Sequence, residues 1–214
     1  MQQRGQEWLR AALAVIVVAL VLYLLSFFVS FNGWPGIFGG PDARDSDEKL
    51  GIIIHHSASP PVLEDGLVDA GLIDRMHAQR GFQVEARGQV YHIGYHFVVL
   101  QDGTVQEGRP LSVRGAHAGS RYYNDRYIGI CLVGDYDPST NRWGRRGPAV
   151  PPQAQLAAAR DLCARLCRRY GFGPEHVLPH SDVAHTLCPG RRFPLAEFRE
   201  SVARELKRGS WSAD

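Results

Sequence analysis

The stretch GIIIHHSASP, residues 51–60, starts as three consecutive isoleucines and ends in two adjacent histidines, His55 and His56. A short unbroken apolar run after a glycine is what a strand covered on both faces requires. Successive side chains of a strand point to opposite faces, so the two imidazoles cannot both reach one point while the strand stays regular. Spacing alone does not say which of them does chemistry.

Working outward, strands and helices interleave. Residues 60–68 read as a loop. A helix is predicted over 69–80, with Asp69 as its cap, Ile73, Met76, His77 and Arg80 on one face, and Gly81 as its stop. IGYHFVVLQDGTVQEGRP, residues 93–110, reads as a hairpin whose Asp102-Gly103 pair signals a two-residue turn. YIGICLVGDYD, residues 127–137, is a second buried strand running into a loop. The clearest helix is 151–173, where Leu156, Ala159, Cys163, Leu166, Cys167 and Tyr170 form one stripe and Gly171 ends it. Another helix is expected from Pro194 to Lys207. The fold class is therefore α/β, a mixed central sheet flanked by helices. One N-terminal transmembrane helix is expected before it.

That helix is residues 11–31, AALAVIVVALVLYLLSFFVSF, a run without a single charge. At ~1.5 Å per residue it spans roughly 30 Å, the thickness of a bilayer core. It is longer than a secretory signal core and lacks a small-residue cleavage site. Arg4 and Arg10 precede it and an acid-rich segment follows, so positive-inside charge bias leaves residues 1–10 in the cytoplasm. Residues 32–48 form a Gly-, Pro- and Asp-rich linker, and 49–208 form the domain outside the cytoplasm, in the periplasm or at the cell exterior.

Net charge is only +2, which gives no electrostatic case for a nucleic-acid partner. The four cysteines include no CxxC pair and form no disulfide framework. Cys163 and Cys167 read as small core residues of the long helix. A monomer is expected.

The second informative stretch is LPHSDVAHTLCPGRRFP, residues 178–194, with His180, His185 and Cys188 in a segment of no regular period. Zinc takes imidazole nitrogen and thiolate sulfur. Two ligands from this loop and one from a strand end would make a three-ligand site with a fourth position left for water.

IIIHHSAS, IGYHFVVLQDGTVQEGRP, GAHA, YIGICLVGDYD and HSDVAHTLCPG follow one another in this order. Together they resemble the N-acetylmuramoyl-L-alanine amidases of the phage-lysozyme and peptidoglycan recognition protein superfamily, over about residues 50–205. The resemblance implies a Zn2+ held by His55, His180 and Cys188. It implies that Tyr95 is the active-site tyrosine, and that Thr186 occupies the place where relatives carry Thr or Lys near the zinc-held water. It implies, more loosely, that His117 and Asn124 line the substrate groove. The implied reaction is hydrolysis of the amide between N-acetylmuramic acid and L-alanine in peptidoglycan. The implied partners are peptidoglycan and muropeptides, with the membrane reached through the N-terminal helix. No Glu stands at an obvious general-base position, so the proton carrier stays open.

The chain departs from the family's pattern in two places. His185 replaces the usual Pro before Thr186; it is either a solvent-facing loop residue or a group that competes for metal or assists proton transfer. GRPLSVRGAH, residues 108–117, lacks the Gly-Trp or Asn-Phe pair by which some recognition proteins read the stem peptide. QVEARGQVYH, residues 83–92, is expected as a rim over the groove. The competing readings are a non-catalytic muropeptide sensor, which the presence of Cys188 opposes, and a structural zinc site, which would need His56 or His185 as a fourth ligand.

Overall fold

The computed structural model describes residues 48–209. The expected membrane segment at 11–31 lies outside the described residues; among those described, no helix is long and apolar enough to cross a membrane.

Strand β1 (Gly51–His56) is buried along its whole length, as its run of isoleucines requires. It belongs to a five-stranded sheet of order β7-β6-β8-β1-β9, formed with β6 (Phe97–Val99), β7 (Val105–Glu107), β8 (Tyr127–Leu132) and β9 (Val177–Pro179). β1 runs parallel to β8 on one side and to β9 on the other, β6 is parallel to β8, and only β6–β7 is antiparallel. The sheet is thus mixed, as the interleaved pattern predicts. In the β1–β8 register His55 stands opposite Cys131 and Ile53 opposite Gly129, so these four share a face.

Helix α1 (Ala70–Ala78) covers part of that face, its Leu72 and Ile73 packing with Val98, Cys131 and Val133. Asp69 caps it, Oδ1 accepting the Leu72 N–H at 2.7 Å. A six-residue helix α2 (Arg121–Arg126) leads directly into β8. Helix α3 (Gln153–Tyr170) ends at Gly171, whose left-handed φ of 74° suits glycine. Its Gln155 Nε2 donates to the carbonyls of Val99 and Val133 at 2.8 and 3.1 Å. Helix α4 (Leu195–Gly209) packs on α3, and its Arg199 Nε donates to Val177 O at 2.7 Å. Cys163 and Cys167 are buried core residues of α3.

Two local expectations need correction. The Asp102-Gly103 turn is longer than two residues: Leu100 N bonds Thr104 O, so residues 101–103 form the loop, with the Asp102 carboxylate accepting the Thr104 N–H. Residues 60–68 are not all loop, because β2 (Val62–Leu63) and β3 (Gly66–Leu67) pair as a small hairpin. Residues 84–91 form another hairpin, β4 (Val84–Ala86) with β5 (Gln89–Tyr91), turning at Arg87 and Gly88, both with positive φ.

Candidate metal centre

His55 is the penultimate residue of β1, and alternation turns its ring onto the Cys131 face. β9 pairs with β1 up to Ile54 opposite Pro179, so the next residue, His180, arrives beside His55. The two rings lie 4.4 Å apart between centroids. His180 opens a short 3-10 turn, His180–Asp182, after which the chain loops back to deliver Cys188.

That loop is fastened at several points. Ser181 N donates to Cys188 O at 2.9 Å, and Cys188 N donates to Thr186 Oγ1 at 3.2 Å. Further along, Arg191 grips the buried Asp137 carboxylate, Nε to Oδ2 at 3.1 Å and Nη2 to Oδ1 at 3.3 Å. Cys188 Sγ comes to rest 3.7 Å from His55 Nδ1, and the His56 backbone N–H donates to it at 3.4 Å. The donor atoms of His55, His180 and Cys188 all lie within 4.8 Å of one another.

The cluster's chemistry fits a zinc ion. His180 Nε2 is buried without any hydrogen-bond partner, a costly state for an imidazole nitrogen unless something takes its lone pair. Burial, then the neighbouring His117 and His180, hold the His55 imidazole well below its usual range, and burial lowers His180 as well, so both rings are neutral near pH 7, the form a metal would take. Burial pushes the Cys188 thiol up to about 12, against the pull of the His56 N–H. A cation at this point would favour the thiolate, as metal binding to cysteine requires. Two nitrogens and one sulfur are a zinc donor set. Among the described residues the group has three members. His56 and His185 are outside it. The His56 ring instead accepts the Tyr136 N–H on Nδ1 at 3.2 Å, and His185 is exposed.

The other residues singled out in the sequence fall around this group. The Tyr95 ring is 5.1 Å from that of His55. Burial, then the neighbouring Cys131 and Cys188, raise Tyr95 well above its usual range, so it is a neutral hydroxyl. The Thr186 hydroxyl oxygen accepts the Cys188 N–H. His117 sits behind His55, Nδ1 to Nε2 at 3.0 Å. Asn124 is not at the cluster; its Oδ1 accepts the N–H groups of His117 and Ala118 at 2.8 and 2.9 Å. His77 and His96 are buried and bond the backbone N–H of Gly94 and Gly129, which agrees with packing roles. Sequence reasoning missed Cys131, Asp137 and Arg191. Cys131 was within reach, since strand parity in YIGICLVGDYD distinguishes it from its neighbours, but only the parallel register puts it next to His55.

The chain matches the N-acetylmuramoyl-L-alanine amidase family over residues 47–191. The endolysin of Klebsiella phage KP32 is 31% identical over 153 residues, a match covering 72% of this chain and 87% of the endolysin. Among solved structures, the N-acetylmuramoyl-L-alanine amidase LysC from Clostridium intestinale URNW superposes with a TM-score of 0.58 at 26% identity, covering 74% of this chain and 88% of LysC. Wild-type Drosophila PGRP-LB does so with a TM-score of 0.54 at 32% identity, covering 71% of this chain and 79% of its own.

Proposed function

Because the chain belongs to the N-acetylmuramoyl-L-alanine amidase family, and so hydrolyses the amide between N-acetylmuramic acid and L-alanine in peptidoglycan, we propose that it does so as a zinc enzyme with His55, His180 and Cys188 as the metal ligands. The observation that carries the zinc reading is the convergence of those three donors within 4.8 Å around an otherwise unpartnered His180 nitrogen. A zinc bound there supplies Lewis acidity to the scissile carbonyl and lowers the pKa of water.

The chain's own groups supply the rest. His55 is buried, whereas His180 and Cys188 are half-buried, so substrate approaches from the side of the loop. Water adds to the lactyl carbonyl carbon, the C–N bond breaks, and the L-alanine amine leaves with one added proton. Tyr95, kept neutral by its surroundings, would donate a hydrogen bond to the oxygen that gains charge; its ring lies 5.1 Å from that of His55, which supports this. Thr186 accepts the Cys188 N–H, which helps set the direction of the thiolate, and its own O–H stays free to donate near the water. We also propose that residues 11–31 anchor the chain in the membrane with the domain outside the cytoplasm, where peptidoglycan lies; their uncharged apolar length supports this.

The test is mass spectrometry of purified peptidoglycan incubated with the full chain. Free stem peptides beginning with L-alanine are expected from the zinc-loaded wild type, and none from Cys188→Ser, which should also fail to retain zinc. A wild type that cleaves equally well after exhaustive metal removal would sink the zinc assignment.

A further inference from the structure

His55 has two ring nitrogens, and only one of them faces Cys188. The other, Nε2, is 3.0 Å from His117 Nδ1, and His117 Nε2 is 3.2 Å from the carbonyl oxygen of Tyr127. A carbonyl only accepts, so His117 carries a proton on Nε2. The contact between the two rings needs a single proton. A doubly protonated His117 would be a buried cation with no carboxylate bonded to it, a costly arrangement. His117 is therefore neutral, its Nδ1 accepts, and the proton between the rings belongs to His55 Nε2. That leaves His55 Nδ1 as a bare lone pair aimed toward Cys188, 3.7 Å from the sulfur.

The fold holds His117 as a fixed part rather than a free side chain. A Cβ added at Gly129 would come 2.6 Å from His117 Cγ and Cδ2, and one at Gly115 would come 2.6 Å from Cδ2. Any side chain at either position would drive the ring out of its slot. Asn124 Oδ1 takes the N–H of His117 and of Ala118 and so sets the backbone from which the ring projects. Both polar ends of His117 are committed inside the chain, which leaves it nothing to offer a sugar or peptide.

We infer that His117 is a positioning residue, held by Gly115, Gly129 and Asn124, that fixes the tautomer and orientation of His55 so that Nδ1 is the metal-binding nitrogen. The inference rests on the zinc reading above. Partners of this kind are worth about 10–100-fold in metal affinity.

Zinc affinity of the full chain is measured by competition with a chromophoric chelator for wild type, His117→Asn, His117→Gln and His117→Phe, with circular dichroism confirming that each is folded. Asn places an acceptor oxygen near the position of Nδ1, whereas Gln reaches only the Tyr127 end and Phe reaches neither. Asn is expected to bind zinc close to wild type, and Gln and Phe to bind about 10–100-fold more weakly. Even if Phe fails to fold, the Asn–Gln contrast decides. Long-range 1H–15N spectra of the zinc-loaded wild type should show the His55 proton on Nε2. Equal affinity for all variants, an Asn variant as weak as Gln, or a His55 proton on Nδ1 overturns the inference. A wild type that takes up no zinc overturns the zinc reading itself and this inference with it.

Discussion

At the residue scale the two adjacent histidines separate cleanly. His55 turns toward His180 and Cys188, while His56 turns to the other side and accepts the Tyr136 N–H. Removing the His55 ring takes away one of the three proposed ligands, so His55→Ala should abolish stoichiometric zinc uptake, read by elemental analysis of the dialysed protein. His56 touches Cys188 only through its backbone N–H, which alanine keeps. His56→Ala should therefore retain zinc and cost about 1–3 kcal/mol in urea unfolding, because a buried N–H loses its acceptor. Reversed behaviour of the pair would mean the ligand is misassigned. The separation into two faces was legible from GIIIHHSASP, since it needs only strand alternation. The choice of His55 came from the resemblance, because alternation alone is symmetric between them. Nothing in the sequence pairs His117 with His55, because that contact depends on how the segment after β7 crosses β8.

At the element scale the weak point is the 180–193 loop, which carries two of the three proposed ligands with almost no regular structure. Its far end is pinned by Arg191 on Asp137, in the segment that follows β8. Burial alone would raise the Asp137 carboxyl, but hydrogen bonds from Arg191 and Ser139 outweigh it and hold the group well below the usual carboxylate range. A depressed folded-state pKa contributes stability above the unfolded value near ~3.9, and that contribution disappears as pH falls through the folded value. Asp137→Asn should thus lower the denaturation midpoint at pH 7, and the gap to wild type should narrow below about pH 4. A gap that is the same at pH 7 and pH 3 would assign the effect to lost packing instead. Long elements such as α3 were legible because their apolar stripe and Gly171 stop act locally. Helix α2 was not, since its six residues bury nothing and have no stripe to read. The loop at 101–103 was misjudged in length because an Asp-Gly pair marks the turn without saying where pairing resumes.

At the scale of the whole molecule, the three proposed ligands come from the end of β1, the end of β9 and the loop that follows, while the core is assembled elsewhere. Ile52, Ile53, Ile54, Ile128, Ile130 and Leu132 are all fully buried in the two central strands, and none of them depends on the metal. The fold should therefore survive chelation, unlike small zinc domains whose folding is metal binding. The metal instead stabilises by mass action: at free zinc about 1,000 times the dissociation constant, the gain is about 4 kcal/mol. For a domain of this size that corresponds to a melting shift of roughly 8–16 °C. Scanning calorimetry with and without chelator should show a single cooperative transition moved down by that order. Hydrogen exchange should show the loss of protection concentrated in residues 180–191, with β1 and β8 still slow. Complete unfolding at 25 °C on chelation would instead make the ion part of the scaffold. An unchanged melting temperature with zinc bound would mean that the unfolded chain holds the ion as tightly as the folded one does.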